Sequence, residues 1–348
     1  MSEKILKEFG ISVNAMVKPF GSGLINHTWL ISDKANDYIL QRVNHNVFKK
    51  PFDIAANIRL VCEYFKDKYQ DYLFVCPCKT NTGDDMLFIN EEGFFRLFPF
   101  IKNSHTTDVV NSPMQAYQAA KQFGRFTNLL SKFPIGKLKI TLPDFHNLPL
   151  RYSQFEKAIK QGNKERIKEA AETIQFLKGQ YEIVTISEKI SNKPDFKKRV
   201  THHDSKISNV LFDANDHGLC VIDLDTVMPG YFISDFGDMM RTYLSPVSEE
   251  EKDFNKIGIR DEYFKAIADG YLGEMGNELT STEKKYLVYS GKFMAYMQAL
   301  RFITDHLNND IYYGAKYEGH NFLRANNQMV LLKKIIEKEK KLQAAIEF

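Results

Sequence analysis

One stretch constrains this chain more than any other. Thr201-His202-His203-Asp204-Ser205-Lys206-Ile207-Ser208-Asn209 reads H-x-D-x-x-x-x-N, with a lysine two places after the aspartate. Val210 to Asp213 then has strand character, Ala214 to Gly218 supplies a turn, and Leu219 to Ile222 returns as a second strand ending in Asp223-Leu224-Asp225. A hairpin brings its two open ends together. The pattern therefore predicts that Asn209, before one strand, and Asp223, after the other, lie near the loop that holds Asp204.

Phosphoryl transfer requires such a set. A carboxylate takes the proton of the attacking hydroxyl, while an amide and a second carboxylate hold the hard Mg²⁺ that bridges the nucleotide phosphates. A lysine beside the base offsets charge on the transferring group. Asp204 is the candidate base, Lys206 its charge partner, and Asn209 with Asp223 the candidate metal ligands. His202 is read as supporting the loop by hydrogen bonding. Asp and Asn also serve as plain turn and cap residues, but here the octet, the hairpin and Ile222-Asp223 occur together. Asp235-Phe236-Gly237 spells the metal-binding D-F-G of protein kinases. It falls beyond the hairpin, so Asp235 is read as a helix-start or loop-anchoring residue and the metal role stays with Asp223.

The rest of the chain divides in two. Its first hundred residues read mainly as short strands: Thr28 to Ile31, Tyr38 to Val43, Leu73 to Val75, Met86 to Ile89 and Phe94 to Phe98. One helix interrupts them, with Ile54, Ile58, Val61 and Phe65 repeating at three and four over 53–68. Asn103 to Ser112 is polar and aperiodic, and Ser112-Pro113 is a helix start. Behind it Tyr117, Ala120, Phe123, Phe126, Leu130 and Phe133 form one stripe. Residues 163–189 read as another long helix and 261–345 as almost wholly helical. The predicted division is 1–101, a β-rich lobe, and 102–348, a larger helical lobe, which makes the fold α+β. A length of 348 residues agrees with about two domains.

Composition excludes several classes. Hydrophobic residues are 43% and charged residues 26%, as in ordinary globular chains. A net charge of +3 is too slight a basic excess to suggest a nucleic-acid binder, which usually shows a strong basic face. No apolar run approaches the ~20 residues that span a bilayer, and Met1-Ser2-Glu3-Lys4 leads into no signal-peptide core. Cys62, Cys76, Cys78 and Cys220 lack metal-site spacing, so reduced, buried thiols in a monomeric cytoplasmic protein are expected.

The loop and hairpin resemble the aminoglycoside phosphotransferase and choline kinase family, whose fold is two-lobed and protein-kinase-like. Cys220-Val-Ile-Asp-Leu-Asp-Thr-Val-Met-Pro-Gly230 and Leu300-Arg-Phe-Ile-Thr-Asp-His-Leu-Asn-Asn-Asp-Ile-Tyr-Tyr313 are similar to its N-acetylhexosamine 1-kinase branch. The resemblance spans nearly the whole chain. It implies ATP and Mg²⁺ as cofactors and a small sugar, N-acetylglucosamine or N-acetylgalactosamine, phosphorylated at its anomeric hydroxyl. It implies that Asp225, Arg301, Tyr312 and His27 face the sugar. It places Gly21 and Gly23 of the glycine turn against the phosphates and Phe98 to Ile101, with Phe100, in the adenine-binding hinge. Such folds carry a third-strand lysine as phosphate anchor. Here Gln41 takes that register with Arg42 beside it, and since side chains alternate faces along a strand only one points at the nucleotide; Arg42 is preferred for its charge. Glu63 is the only glutamate in the 53–68 helix. The other readings are a same-fold kinase of choline, ethanolamine, homoserine or an aminoglycoside, and a nucleotide-binding pseudokinase, for which the missing lysine argues.

Overall fold

The computed structural model describes residues 2–21, 25–34 and 36–346. The chain divides into two compact units. The first comprises Met1–His105, Lys132–Pro143 and Leu211–Pro229; the second comprises Thr106–Ser131, Asp144–Val210 and Gly230–Phe348.

The first unit is built on five antiparallel strands. These are β1 (Met16–Pro19), β2 (His27–Asp33), β3 (Asn36–Val43), β4 (Leu87–Ile89) and β5 (Gly93–Pro99), in the order β1-β2-β3-β5-β4. Alternation along the strands sorts their side chains into two faces. Trp29, Ile31, Tyr38, Leu40, Phe95 and Leu97 pack with Ile5, Leu6 and Phe9 of a short helix, α1 (Glu3–Glu8). Thr28, Gln41 and Arg96 lie in register across β2, β3 and β5 on the opposite face. Helix α2 (Pro51–Lys68) buries Ile54, Ile58, Val61 and Phe65, the stripe predicted from its spacing. The hairpin is present, Val210–Phe212 with Gly218–Val221. Asp213 N–H donates to the His217 carbonyl at 3.0 Å to close its turn.

The second unit is helical. Its elements are α3 (Pro113–Leu129), α4 (Leu148–Gln161), α5 (Lys164–Glu169), α6 (Ala171–Gly179), α7 (Glu182–Ser191), α8 (Phe232–Tyr243), α9 (Asp261–Met275), α10 (Ser281–Lys284), α11 (Leu287–Leu307) and α12 (His320–Ala344). Helix α3 packs along α9, and α11 packs against α8, α12 and α4. Two glycines permit the close approaches. A Cβ at Gly270 would meet the Tyr117 carbonyl between α9 and α3, and one at Gly237 would meet the Ser290 carbonyl between α8 and α11. Among the described residues no helix is long and apolar enough to cross a membrane.

The α+β class holds, and several local expectations are corrected. Leu73 to Val75 is not a strand. Pro77 follows it, and Phe74 turns onto Phe65 of α2, ring centroids 4.9 Å apart, so side-chain packing replaces a ladder. The single helix expected over 163–189 is three, broken at Ala170 and at Gln180-Tyr181. Helices α1 and α4 and strand β1 carry no periodic signal that the sequence reading used. The expectation of four reduced thiols fails: Cys62 of α2 and Cys76 form a disulfide, with Cα atoms 5.8 Å apart, while Cys78 and Cys220 are free.

Denatured without reductant, the protein should expose two alkylatable thiols, and four after reduction; four at the outset would disprove the pairing. Closing a 14-residue separation contributes about 3 kcal/mol in the chain-entropy account. Cys62→Ser should therefore lower the unfolding free energy, read by denaturant titration, by that order.

Candidate active site

The H-x-D-x-x-x-x-N stretch lies in the second unit as an irregular loop, followed by a single 3₁₀ turn, Ile207–Asn209. The loop is shaped by Asp235, in the first turn of α8. Its carboxylate oxygens accept from His202 N–H at 2.9 Å and His203 N–H at 2.7 Å. Ser205 Oγ donates to the Asp235 carbonyl at 2.9 Å, and Tyr243 Oη donates to the Ser205 carbonyl at 2.7 Å. His203 is thereby held at φ +67°, a left-handed backbone that few non-glycine residues adopt. Asp235 is the loop anchor that the sequence order implied. Burial pushes its carboxyl up to about 7 against the pull of the two N–H donors and with the neighbouring Asp238 adding to the rise.

Asp204, Lys206 and Asn209 come together in this loop. Asp204 Oδ2 is 3.1 Å from Lys206 Nζ and accepts from Asn209 Nδ2 at 3.0 Å. Asn209 Nδ2 also donates to the Asp204 carbonyl, at 2.8 Å. Burial pushes the Asp204 carboxyl up, but the charges of Lys206 and His202 and the bonds from Lys206 and Asn209 outweigh it and hold it below the usual carboxylate range. One oxygen is thus occupied by two donors, while Oδ1 accepts no hydrogen bond among the described residues and the carboxylate stays ionised, the state a proton acceptor needs. His202 is fully buried, its ring edge-on to Phe123 at 5.1 Å.

Asp223 and Asp225 belong to the first unit, at the end of the hairpin. Asp223 is itself left-handed, at φ +59°, and leads into the turn Leu224–Thr226. Asp225 is 2% exposed, ion-paired with Arg96 of β5 and accepting from Asn26 Nδ2 at 2.8 Å. Among the described residues no group of three or more His, Cys, Asp or Glu is arranged to hold a metal. Asp223, in the first unit, offers a carboxylate, and Asn209, in the second, an amide oxygen, since its nitrogen is spent on Asp204. Each is a hard oxygen donor of the kind that suits Mg²⁺, an ion that keeps waters and binds substrate phosphates rather than sitting in an all-protein cage.

The candidate sugar residues fall in both units. In the second, Arg301 of α11 lies 5.6 Å from the Phe145 ring centre and 5.4 Å from that of Tyr313, and donates to Gln298 Oε1 at 3.2 Å. Tyr312 is 71% exposed, on a loop pinned by Asp305, which accepts from Tyr312 N–H at 2.7 Å and Tyr313 N–H at 2.8 Å. Its ring meets that of Tyr313 edge-on at 4.8 Å. In the first unit, His27 is exposed on β2, opposite Arg42. Arg42 shares the sheet face of Leu40 and lies over Gly93, away from the face of Gln41 and Arg96. Phe100 donates its N–H to the Asp37 carbonyl at 3.0 Å and sets its ring edge-on to Phe20 at 6.0 Å. Gly21 has φ +77° with open space around it; Gly23 lies outside the described residues. Glu63 is exposed.

Sequence reasoning missed three features here. Arg96, a lone charge in Phe94-Phe-Arg-Leu-Phe98, carried a usable signal, because a charge in an apolar strand requires a partner. Arg151 of α4 donates to Gln154 Oε1 at 3.0 Å and to the Asp144 carbonyl at 2.8 Å, and makes no ion pair among the described residues. His146 is held neutral by burial and by His203, Arg301, Arg241 and Arg151 around it.

A family described as the phosphotransferase enzyme family matches residues 16–275. Among solved structures the chain is similar to a microcompartment-associated aminopropanol kinase, at 15% identity over 98% of this chain and 97% of that one, TM-score 0.67. It is similar to a spectinomycin phosphotransferase in complex with ADP and spectinomycin, at 16% identity over 97% of each, TM-score 0.62. It is also similar to choline kinase from Cryptosporidium parvum, at 14% identity over 99% and 96%, TM-score 0.57. At these identities the likeness shows the fold.

The Asp235 carboxyl generates a pH prediction. Its folded value, about 7, lies above the roughly 3.9 of an unfolded aspartate, so the folded chain binds the extra proton in between. Its contribution to stability is complete below that unfolded value and is lost as pH rises through 7. Asp235→Asn does not ionise. Between pH 5 and pH 8 the wild-type melting temperature should fall more steeply than the variant's, and parallel curves would refute the assignment.

Proposed function

The chain belongs to the phosphotransferase enzyme family, and from that premise we propose that it transfers the γ-phosphate of ATP to the anomeric hydroxyl of an N-acetylhexosamine. The observation that carries the reading is Asp204, with Oδ2 clamped by Lys206 and Asn209 and Oδ1 open. In this proposal the C1 hydroxyl gives its proton to Oδ1 as its oxygen attacks the γ-phosphorus and the bond to the ADP oxygen breaks. Lys206 offsets the charge that develops on the transferring group. Asn209 and Asp223 hold Mg²⁺, which when bound neutralises charge on the nucleotide phosphates. The backbone of Gly21 and of the Phe98–Ile101 segment would take the nucleotide, and Arg301, Tyr312 and His27 the sugar.

The charge around Arg301 supports a sugar over a cationic acceptor. Arg301 and Arg151 make no ion pair among the described residues, and Arg301 lowers the pKa of Arg151 after burial has done so. The nearby carboxylates are committed, Asp238 and Glu249 to Arg241 and Glu249 again to Arg324. An ammonium group placed beside them would meet two guanidiniums, whereas hydroxyl and amide oxygens accept from guanidinium donors. The second reading is an amino-alcohol or aminoglycoside kinase, favoured by the similar structures of aminopropanol kinase, choline kinase and spectinomycin phosphotransferase.

The deciding experiment is a screen of free sugars and amino alcohols for ADP release, followed by ³¹P NMR of the product. An anomeric phosphate is expected; a C6 phosphate or phosphorylation of amino alcohols alone would overturn the sugar 1-kinase reading. Asp204→Asn should lower turnover by ~10²–10⁴, the usual worth of a general base, with the nucleotide still bound. Near-normal turnover in that variant would remove Asp204 from the role.

A further inference from the structure

Arg96 is 2% exposed within a strand whose neighbours are phenylalanine and leucine. Every arm of its guanidinium is engaged. Nε and Nη2 donate to Gln41 Oε1 at 3.0 and 2.8 Å, and Nη1 is paired with Asp225 Oδ1. Asp225 is equally enclosed, and its Oδ2 accepts from Asn26, whose own Oδ1 accepts from Asn44 N–H at 3.0 Å. Desolvating two such ions is expensive, and apolar replacements for a buried pair are often neutral or stabilising. Stability therefore does not explain the pair; the fixed position of what it holds does.

What it holds is the turn after the hairpin. Asp223 sits at φ +59°, ψ +63°, a left-handed conformation that is costly for an L-residue and persists where its surroundings hold it. Two residues on, Asp225 is fixed by Arg96 and Asn26. Two further on, the Val227 carbonyl accepts from Asn57 Nδ2 of α2 at 3.0 Å. The turn is thus fastened to β5, to the segment before β2, and to α2. Gln41 explains the missing third-strand lysine in the same terms. It stands opposite Arg96 in the β3–β5 register, and a cation there would face Arg96 where a carbonyl oxygen now accepts two bonds.

We propose that Arg96 is a positioning residue for Asp223: it is the sheet's cation, moved from the third strand to its neighbour, and it acts through Asp225 on the turn that carries the magnesium ligand. The inference rests on the reading of Asp223 as that ligand. It assigns Asp225, with both oxygens occupied, to holding the turn rather than to contacting the acceptor.

The test is calorimetric binding of ADP with excess Mg²⁺ and again in EDTA, for the wild type, Arg96→Lys and Gln41→Ala. Lysine keeps the charge but cannot serve Gln41 and Asp225 together. In Arg96→Lys the affinity with Mg²⁺ should fall about 10- to 100-fold, the usual effect of losing a partner that orients a metal ligand, while the EDTA value stays within about twofold. Gln41→Ala, which leaves the ion pair intact, should shift the Mg²⁺ value alone, by about two- to fivefold, and it carries the test by itself if Arg96→Lys does not fold. Equal losses with and without Mg²⁺ would make Arg96 merely structural and overturn the proposal, as would unchanged affinities in the folded variants. A wild type whose ADP affinity ignores Mg²⁺ would instead overturn the reading of Asp223.

Discussion

The carboxylate of Asp235 is the point on which the H-x-D-x-x-x-x-N loop depends. Residues 202–206 run in neither helix nor strand, so their backbone N–H groups need partners from elsewhere. Asp235 supplies them for His202 and His203, and Tyr243 and Ser205 tie the loop to α8 a second time. Only with that backbone fixed does Asp204 emerge between Lys206 and Asn209. Helix α8 is itself held by Gly237, whose missing side chain admits the α11 backbone. The chain of causes runs from a glycine in a helix contact, through a buried carboxylate, to the ionised oxygen of Asp204.

The first unit solves the same problem with different residues. The turn after its hairpin also passes through a left-handed non-glycine residue, Asp223, as the loop does through His203. It too is clamped by a buried carboxylate, Asp225, although here the partner is a guanidinium rather than backbone N–H groups. A carboxylate bonded to two amides desolvates poorly, and that of Asp235 is pushed up accordingly. A carboxylate facing a buried arginine has its charge matched directly. Both devices hold a strained turn in a single conformation, which is what preorganised binding of a charged group needs.

How much of this was legible follows from how local each feature is. Asp204, Lys206 and Asn209 lie within six positions, so their spacing alone predicted a cluster. The hairpin was legible because two short strands flank a turn. The anchoring role of Asp235 came from chain order, since D-F-G falls after the hairpin and not at its end. Arg96 was hidden because its partners depend on register: Gln41 is 55 positions away and Asp225 further still. No periodicity records that β3 and β5 are neighbours. The same blindness explains Leu73 to Val75, whose strand-like composition serves packing onto α2, and the Cys62–Cys76 bond, which only the return of the chain beside that helix makes possible.

Charge placement links the two halves of the argument. In the first unit the buried cation is spent internally, because Arg96 is saturated by Gln41 and Asp225. In the second, Arg241 and Arg324 are likewise spent on Asp238 and Glu249. Arg301 and Arg151 make no ion pair among the described residues, although Asp144 lies close enough to Arg151 to act on its charge. Arg301 lies against Phe145 and Tyr313, rings that hold a planar guanidinium without neutralising it. Arg260 likewise makes no ion pair among the described residues, but its guanidinium is spent on the carbonyls of Tyr243, Leu244 and Ser245; under the proposed reading, Arg301 and Arg151 would donate instead to the oxygen acceptors of a ligand. An N-acetylated sugar brings such acceptors in its hydroxyls and amide carbonyl, and an amino alcohol brings the opposite charge pattern.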